Sequence, residues 1–395
     1  MTIEAMDKAY VLPTYARNYD AHFVRGENAM LYDAEGNDYV DFGSGIAVCS
    51  VGHGNPRLAE AICDQAKKLI HTSNLYLIEP QARLAKRLAE LSGMDVRTFF
   101  ANSGAEANEG AIKIARRYGT DDEGNVKRYK IITLEHSFHG RTITALKATG
   151  QEAMHTYFGP FPDGFVYARD IEHIYDLIDD HTVAVMIELV QGEGGVQPME
   201  RSAVQKLAAA LKERDILLIV DEVQTGIYRT GEVLASNLYE ITPDVVTLAK
   251  GLGGGVPIGA IMTTLKEILK PGDHGSTFGG NFLSTRAALE VLEILESHKT
   301  SGELDHMMLL FEERLKEIAR IYDRLFDKEV GVGFMRGLRV KEGFDAGEIV
   351  KAAFDERVVV LKAGRNTVRF LPVLTMTKEE MALGFQRFIA ALDRL

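Results

Sequence analysis

The chain has 395 residues, 46% apolar and 26% charged, which is ordinary globular composition in a chain too long for one small core. Its formal net charge of −12 argues against nucleic acid and anionic membranes as partners, although backbone amides can still bind a phosphate locally. Two cysteines, Cys49 and Cys63, are too few for a disulfide framework; with no apolar run near the roughly 18 residues of a membrane helix and no secretory h-region around Glu4 and Asp7, a cytoplasmic protein is expected.

Residues 1–25 predict a short helix at most. Residues 30–42 carry the turn Ala34-Glu35-Gly36-Asn37 between two strand-like pieces, a β-hairpin. Gly43-Ser44-Gly45 and Gly52-His53-Gly54-Asn55-Pro56 read as loops. Helical spacing follows at 56–70 and 80–91. Strand-like runs then alternate with helical ones: strands at 98–101, 131–134, 165–168, 183–189, 216–220, 245–249 and 258–264, with helices up to 118, near 171–178 and at 202–213. That rhythm predicts an α/β domain whose mostly parallel sheet is covered by helices. Residues 284–325 give one or two amphipathic helices. Strands at 332–340, 358–361 and 367–373, a helix near 347–356 and a C-terminal helix close the chain. The expected division is a large domain over 55–290 and a smaller α+β domain built jointly from 1–54 and 291–395.

Chemistry concentrates where strands end. Lys250 closes the run Val245-Val246-Thr247-Leu248-Ala249 and precedes a glycine-rich turn. At the rim of a parallel sheet an amine can be partly desolvated, which moves it toward its nucleophilic free base; read alone, the stretch also describes a lysine reaching water. Asn102-Ser103-Gly104-Ala105-Glu106 turns from a strand into a helix. Its free amides suit an anion, and a plain cap by Ser103 explains it equally well. In Ser137-Phe138-His139-Gly140-Arg141 an aromatic beside a glycine can stack on a flat ring and Arg141 can fork a carboxylate; a core phenylalanine and a surface arginine are the plainer alternative. Five apolar residues deliver Asp221 and Glu222 to a fourth strand end. A buried aspartate there needs a partner, either a metal or a protonated ring nitrogen. No phosphate-binding Gly-x-x-x-x-Gly-Lys-Ser/Thr loop, no zinc spacing and no dinucleotide fingerprint is present. An anion cradle, an aromatic platform, a carboxylate for a ring nitrogen and an amine for an aldehyde together match the needs of a pyridoxal 5'-phosphate site.

These motifs run in order through nearly the whole chain, joined by Gln191-Gly192-Glu193-Gly194-Gly195, Asp221-Glu222-Val223-Gln224-Thr225-Gly226, Leu248-Ala249-Lys250-Gly251 and Ser276-Thr277-Phe278-Gly279-Gly280-Asn281. In this the chain resembles the fold-type I, pyridoxal-phosphate-dependent aminotransferases of class III. The resemblance implies a mostly parallel seven-stranded sheet, a homodimer with shared active sites, and no metal. It implies that Lys250 bonds the cofactor aldehyde and then moves the substrate proton. Asp221 pairs with the ring nitrogen, Phe138 and Val223 cover the two ring faces, and Gln224 lies near the phenolic oxygen. Ser103, Gly104 and Ala105 hold the phosphate, completed by Thr277 of the neighbouring subunit, with Ser276 beside it near the substrate. Arg141 is expected to hold the α-carboxylate of an ω-amino donor, N-acetylornithine first, with ornithine, succinylornithine, succinyldiaminopimelate and 4-aminobutyrate as alternatives. Arg369 is expected to hold the α-carboxylate of 2-oxoglutarate, and Glu193 to neutralise Arg369 while the donor is bound. A nucleotide-binding protein and a non-catalytic relative are the rival readings, disfavoured by the missing phosphate loops and by the presence of both Lys250 and Asp221.

Overall fold

The computed structural model describes residues 1–18 and 21–395. Its central sheet has seven strands in the order Arg97–Ala101, Gly259–Thr263, Val245–Leu248, Leu217–Asp221, Thr182–Ile187, Lys130–Leu134, Phe165–Ala168. The last five run parallel. Gly259–Thr263 is antiparallel to both neighbours, so it alone is reversed. Alternate residues of one strand feed two separate cores: Leu217 and Ile219 pack on one face, Leu218 and Val220 on the other. A strand covered on both faces has to read as an unbroken apolar run, and these do. The helix Gly104–Tyr118 covers one face through Ala107, Ala111 and Ile114, while Arg201–Glu213 covers the other through Val204, Leu207 and Leu211.

The two ends of the chain meet. Phe23–Glu27, Met30–Asp33 and Asp38–Asp41 share a sheet with Val358–Val359, which runs parallel to Asp38–Asp41. A second sheet joins Phe326–Val332, Met335–Val340, Thr367–Phe370 and Leu361–Ala363, all antiparallel. Phe42 from the N-terminal segment stacks against Phe311, Phe370 and Phe385 from the C-terminal one. The contact with Phe311 is edge-to-face and the other two are tilted, and such ring pairs add to the burial of each ring.

Two runs expected as single strands divide. The run at 332–340 is preceded by an unforeseen strand, Phe326–Val332, and Gly333 with φ +58° turns the chain between them into a hairpin. The run at 358–361 splits between two sheets, with Val360 buried at the step.

Candidate active site

The parallel strands deliver their C-terminal ends to one cavity of about 390 Å³, the place where α/β sheets present ligand sites. Ser103, Gly104, Ala105, Phe138, Arg141, Glu193, Asp221, Val223, Gln224 and Lys250 all line it. Arg369 stands immediately behind. Its Nη1 donates to Glu193 Oε1 at 2.7 Å and to Gln224 Oε1 at 3.4 Å. Ser276 is outside the lining, but its hydroxyl accepts from Asn102 Nδ2 at 3.1 Å. Thr277 is exposed and does not reach its own chain's cavity.

Asp221 is 4% exposed. Its Oδ2 accepts from Asn108 Nδ2 and from His139 Nδ1, both at 2.8 Å, and its Oδ1 accepts the Val223 N–H at 3.0 Å. Thr247 in turn donates to Asn108 Oδ1 at 2.7 Å, which fixes the amide orientation. Burial opposes charge on His139, yet the hydrogen bond and the negative charge of Asp221 outweigh it and raise its pKa. Asn108 and His139 are the residues that sequence reasoning missed. The only signal was polarity: Asn108 interrupts the small apolar stripe of its helix, and His139 sits inside a motif already singled out.

Glu188 also lines the cavity. It accepts the N–H of Phe138 at 3.0 Å and of Gly192 at 3.4 Å. Burial lifts its pKa to about 7, with His139 opposing and Asp221 adding to the rise.

Lys250 follows the strand Val245–Leu248 by two residues and holds φ +42°. A non-glycine residue in this region stores strain of about 1–3 kcal/mol, which the surrounding fold must over-determine. Among the described residues its amine has no hydrogen bond or ion pair. Desolvation lowers its pKa, against the pull of Glu193 and with the push of Arg369. An amine so placed is poised as base and nucleophile.

At the opposite wall, Ser103 caps the helix by accepting the Glu106 N–H at 3.2 Å. Gly104 and Ala105 are left in the first turn with no intrahelical partner for their N–H groups. A Cβ on Gly104 would stand 2.6 Å from Val223 Cγ1, so glycine is what lets the helix end close against the floor. Arg141 lies with its guanidinium carbon 5.6 Å from the Phe138 ring centroid. Carboxylate, amine, amide cradle, ring platform and guanidinium thus surround one space of cofactor size. Among the described residues no cluster of His, Cys, Asp or Glu could hold a metal ion.

The mouth is shaped by a turn that the sequence showed only as a loop. Ser44, Gly45, Ile46 and Ala47 have φ of +43°, +63°, +64° and +62°, one turn of left-handed helix, which costs roughly 1–2 kcal/mol per non-glycine residue. Asp41 Oδ1 accepts the N–H groups of Gly43 and Ser44 at 2.8 and 3.0 Å, and the Ser44 hydroxyl donates to the Leu371 carbonyl at 2.6 Å. Val48, just beyond, lines the cavity. Asp41 Oδ2 also meets His53 Nε2 at 2.7 Å. Desolvation pulls the His53 pKa down, but Asp41 and Cys49 together raise it to about 10. A histidine with a raised folded pKa contributes stability below its unfolded value of about 6.5 that is lost as pH climbs toward the folded one. Stability should therefore fall between about pH 6.5 and 10, with a slope kept by solvent screening below the limit of ~1.4 kcal/mol per pH unit. His53→Gln should flatten the pH dependence of the unfolding temperature across that window; an unchanged slope would remove His53 as its source.

The class-III aminotransferase family model matches residues 14–392. The chain is 65% identical to an acetylornithine aminotransferase of Wolinella succinogenes, over 98% of this chain and 99% of that one. It is 43% identical to a succinylornithine transaminase of Salmonella agona, over 94% of this chain and 92% of that one. Among solved structures it superposes on the ornithine aminotransferase from Toxoplasma gondii with a TM-score of 0.93 at 32% identity, covering 99% of this chain and 94% of that one. With a family match spanning nearly all of its length, set on a site of this composition, the chain belongs to the class-III aminotransferases.

Proposed function

We propose that the chain transfers the δ-amino group of N2-acetyl-L-ornithine to 2-oxoglutarate, giving N-acetyl-L-glutamate 5-semialdehyde and L-glutamate, a step of arginine biosynthesis. The observation that carries this reading is the 65% identity over almost the whole of both chains to an acetylornithine aminotransferase. Enzymes of this family are pyridoxal-phosphate-dependent, and bound here the cofactor supplies an electron sink for the carbon that loses its proton.

The chain's own residues do the rest. The Lys250 amine would hold the cofactor through its aldehyde, and once freed its Nζ would take the proton from the donor's δ-carbon. Asp221, held in place by three donors, would hold a proton on the ring nitrogen. Phe138 and Val223, which line the cavity, would confine the ring, and Gln224 would serve its phenolic oxygen. The amides of Gly104 and Ala105, with Ser103, take the phosphate at the helix end. Arg141 at the cavity wall takes the donor's α-carboxylate. Arg369 is 2% exposed and would capture a carboxylate at the wrong moment. Its bond to Glu193 keeps it neutralised until 2-oxoglutarate displaces Glu193.

The same reading makes the working unit a cytoplasmic homodimer. Leu75, Tyr76 and Leu77 are 86%, 70% and 99% exposed, and Phe278 is 62% exposed. Asn74 Nδ2 donates to the carbonyls of Ser276 and Gly279, so these side chains form one apolar patch around Thr277. A patch of that kind marks a contact surface, and a second copy seated on it would receive Thr277 at its phosphate site and Ser276 near its substrate. No described helix is long and apolar enough to cross a membrane.

A panel of amine donors with 2-oxoglutarate tests the assignment. N-acetylornithine should rank first in kcat/KM, with succinylornithine nearest, because one pocket contact discriminates by only about 1–3 kcal/mol, or roughly 10–200-fold. Free ornithine or 4-aminobutyrate leading the panel would replace the donor and leave the chemistry standing.

A further inference from the structure

Arg229 is 2% exposed, and burial lowers its pKa. Among the described residues no carboxylate balances it and its Nη2 has no hydrogen-bond partner. For stability alone an apolar side chain of similar length would serve as well or better. What the guanidinium gains is position. Arg229 lies five residues beyond Gln224 in the loop that leaves Asp221, and it crosses to the C-terminal segment. Nη1 donates to the carbonyls of Pro372 and Phe334, the latter at 3.3 Å, and the Phe334 N–H donates back to the Arg229 carbonyl at 2.9 Å.

Phe334 is the hairpin residue just before the strand Met335–Val340, and Pro372 follows the strand Thr367–Phe370. The two strands pair with each other, Gly337 opposite Arg369. Arg229 thus grips the chain at the ends of two paired strands, one of which carries Arg369. The backbone is bent on each side to allow it. Ile227 and Tyr228 hold φ of +59° and +64°, Gly333 holds +58°, and a Cβ on Gly333 would stand 2.6 Å from the Arg229 carbonyl oxygen. Among the described residues Arg369 itself is tied in the site through Nη1, to Glu193 and Gln224, while its Nε has no partner. Its depth is therefore set largely by its strand.

We propose that Arg229 is a positioning residue for acceptor recognition, holding the strand that carries Arg369 in register with the loop that carries Asp221 and Gln224. The inference rests on the reading above, in which Arg369 binds the acceptor's α-carboxylate. It makes Arg229 matter to one half of the reaction. The donor half uses Arg141, on the far wall, and should not sense it.

The test is on purified holoenzyme, comparing R229M, which keeps length and removes the charge, with R229K, which keeps charge and some of the donors. Each half-reaction is followed separately by the absorbance of the bound cofactor, with a thermal melt alongside. In R229M the concentration of 2-oxoglutarate at half-saturation should rise about tenfold or more, equivalent to ~1.4 kcal/mol of binding. That for N-acetylornithine should stay within about threefold, and R229K should recover part of the acceptor loss. Equal weakening of both halves, or an unchanged acceptor half, overturns the proposal. So does failure of both variants to fold, which would make Arg229 a stability element. Unsubstituted protein that does not turn over 2-oxoglutarate would instead sink the functional reading, and that failure is visible before any variant is made.

Discussion

Lys250→Ala is expected to lower turnover by at least about 10⁴-fold, because it removes in one stroke the nucleophile and the proton carrier. It should do so without unfolding the chain. Among the described residues the Lys250 amine has no partner to strand, and removing an amine whose charged form is disfavoured by its surroundings relieves desolvation. The strain at φ +42° belongs to the backbone and is shared by alanine. Lys250→Gly should match the alanine variant in activity while exceeding it in unfolding temperature, since glycine populates that region at no steric penalty. Melting curves beside steady-state rates separate the two contributions. A variant that melts like the parent and retains a tenth of its turnover would remove Lys250 from the chemistry, and with it the reading of the cavity.

The fold was legible where burial dictates composition. Leu217-Leu218-Ile219-Val220 must be apolar throughout because one set of side chains enters each of two cores, and the strand can be read from that alone. The strand ends were legible for a related reason. A carboxylate, amine or arginine directly after such a run has nowhere to go but the sheet rim. What could not be read depends on partners distant in sequence. Ile46 and Ala47 adopt a left-handed turn that neither residue prefers, because Asp41, and Leu371 through Ser44, hold the chain there. Val358-Val359-Val360-Leu361 carries no punctuation, so its division between two sheets was invisible. Arg229 has an unremarkable local context, and only Ile227 and Tyr228, both left-handed, turn it inward. Asn108 and His139 carried only their polarity as a signal until Asp221 was seen between them.

That last triad carries the second large effect. Asp221→Asn preserves shape and volume but removes the carboxylate proposed to face the ring nitrogen, and it leaves the buried His139 without its counter-charge. Loss of one member of a buried charged pair costs about 3–5 kcal/mol of stability; separately, removing a preorganised charge from the reacting ring should lower turnover roughly 10²–10³-fold, with substrate half-saturation much less affected. The variant also predicts its own pH signature. Asp221 raises the His139 pKa against burial; a raised histidine contributes stability below its unfolded pKa of about 6.5 that is lost as pH rises through the folded value. Without Asp221 the shift reverses, because burial alone disfavours the imidazolium. The variant should therefore lose stability relative to the parent most at acid pH and least at alkaline pH. Asp221→Ala cannot distinguish these causes, since it also opens a void beside Asn108. Asp221→Glu keeps the charge and displaces it by one methylene, and it should restore the acid-side stability more fully than the rate. If Asp221→Asn instead stays within tenfold of the parent in turnover and keeps the parent's pH–stability profile, neither the ring nitrogen nor His139 depends on this carboxylate. The cavity would then need another source of the charge that its chemistry requires.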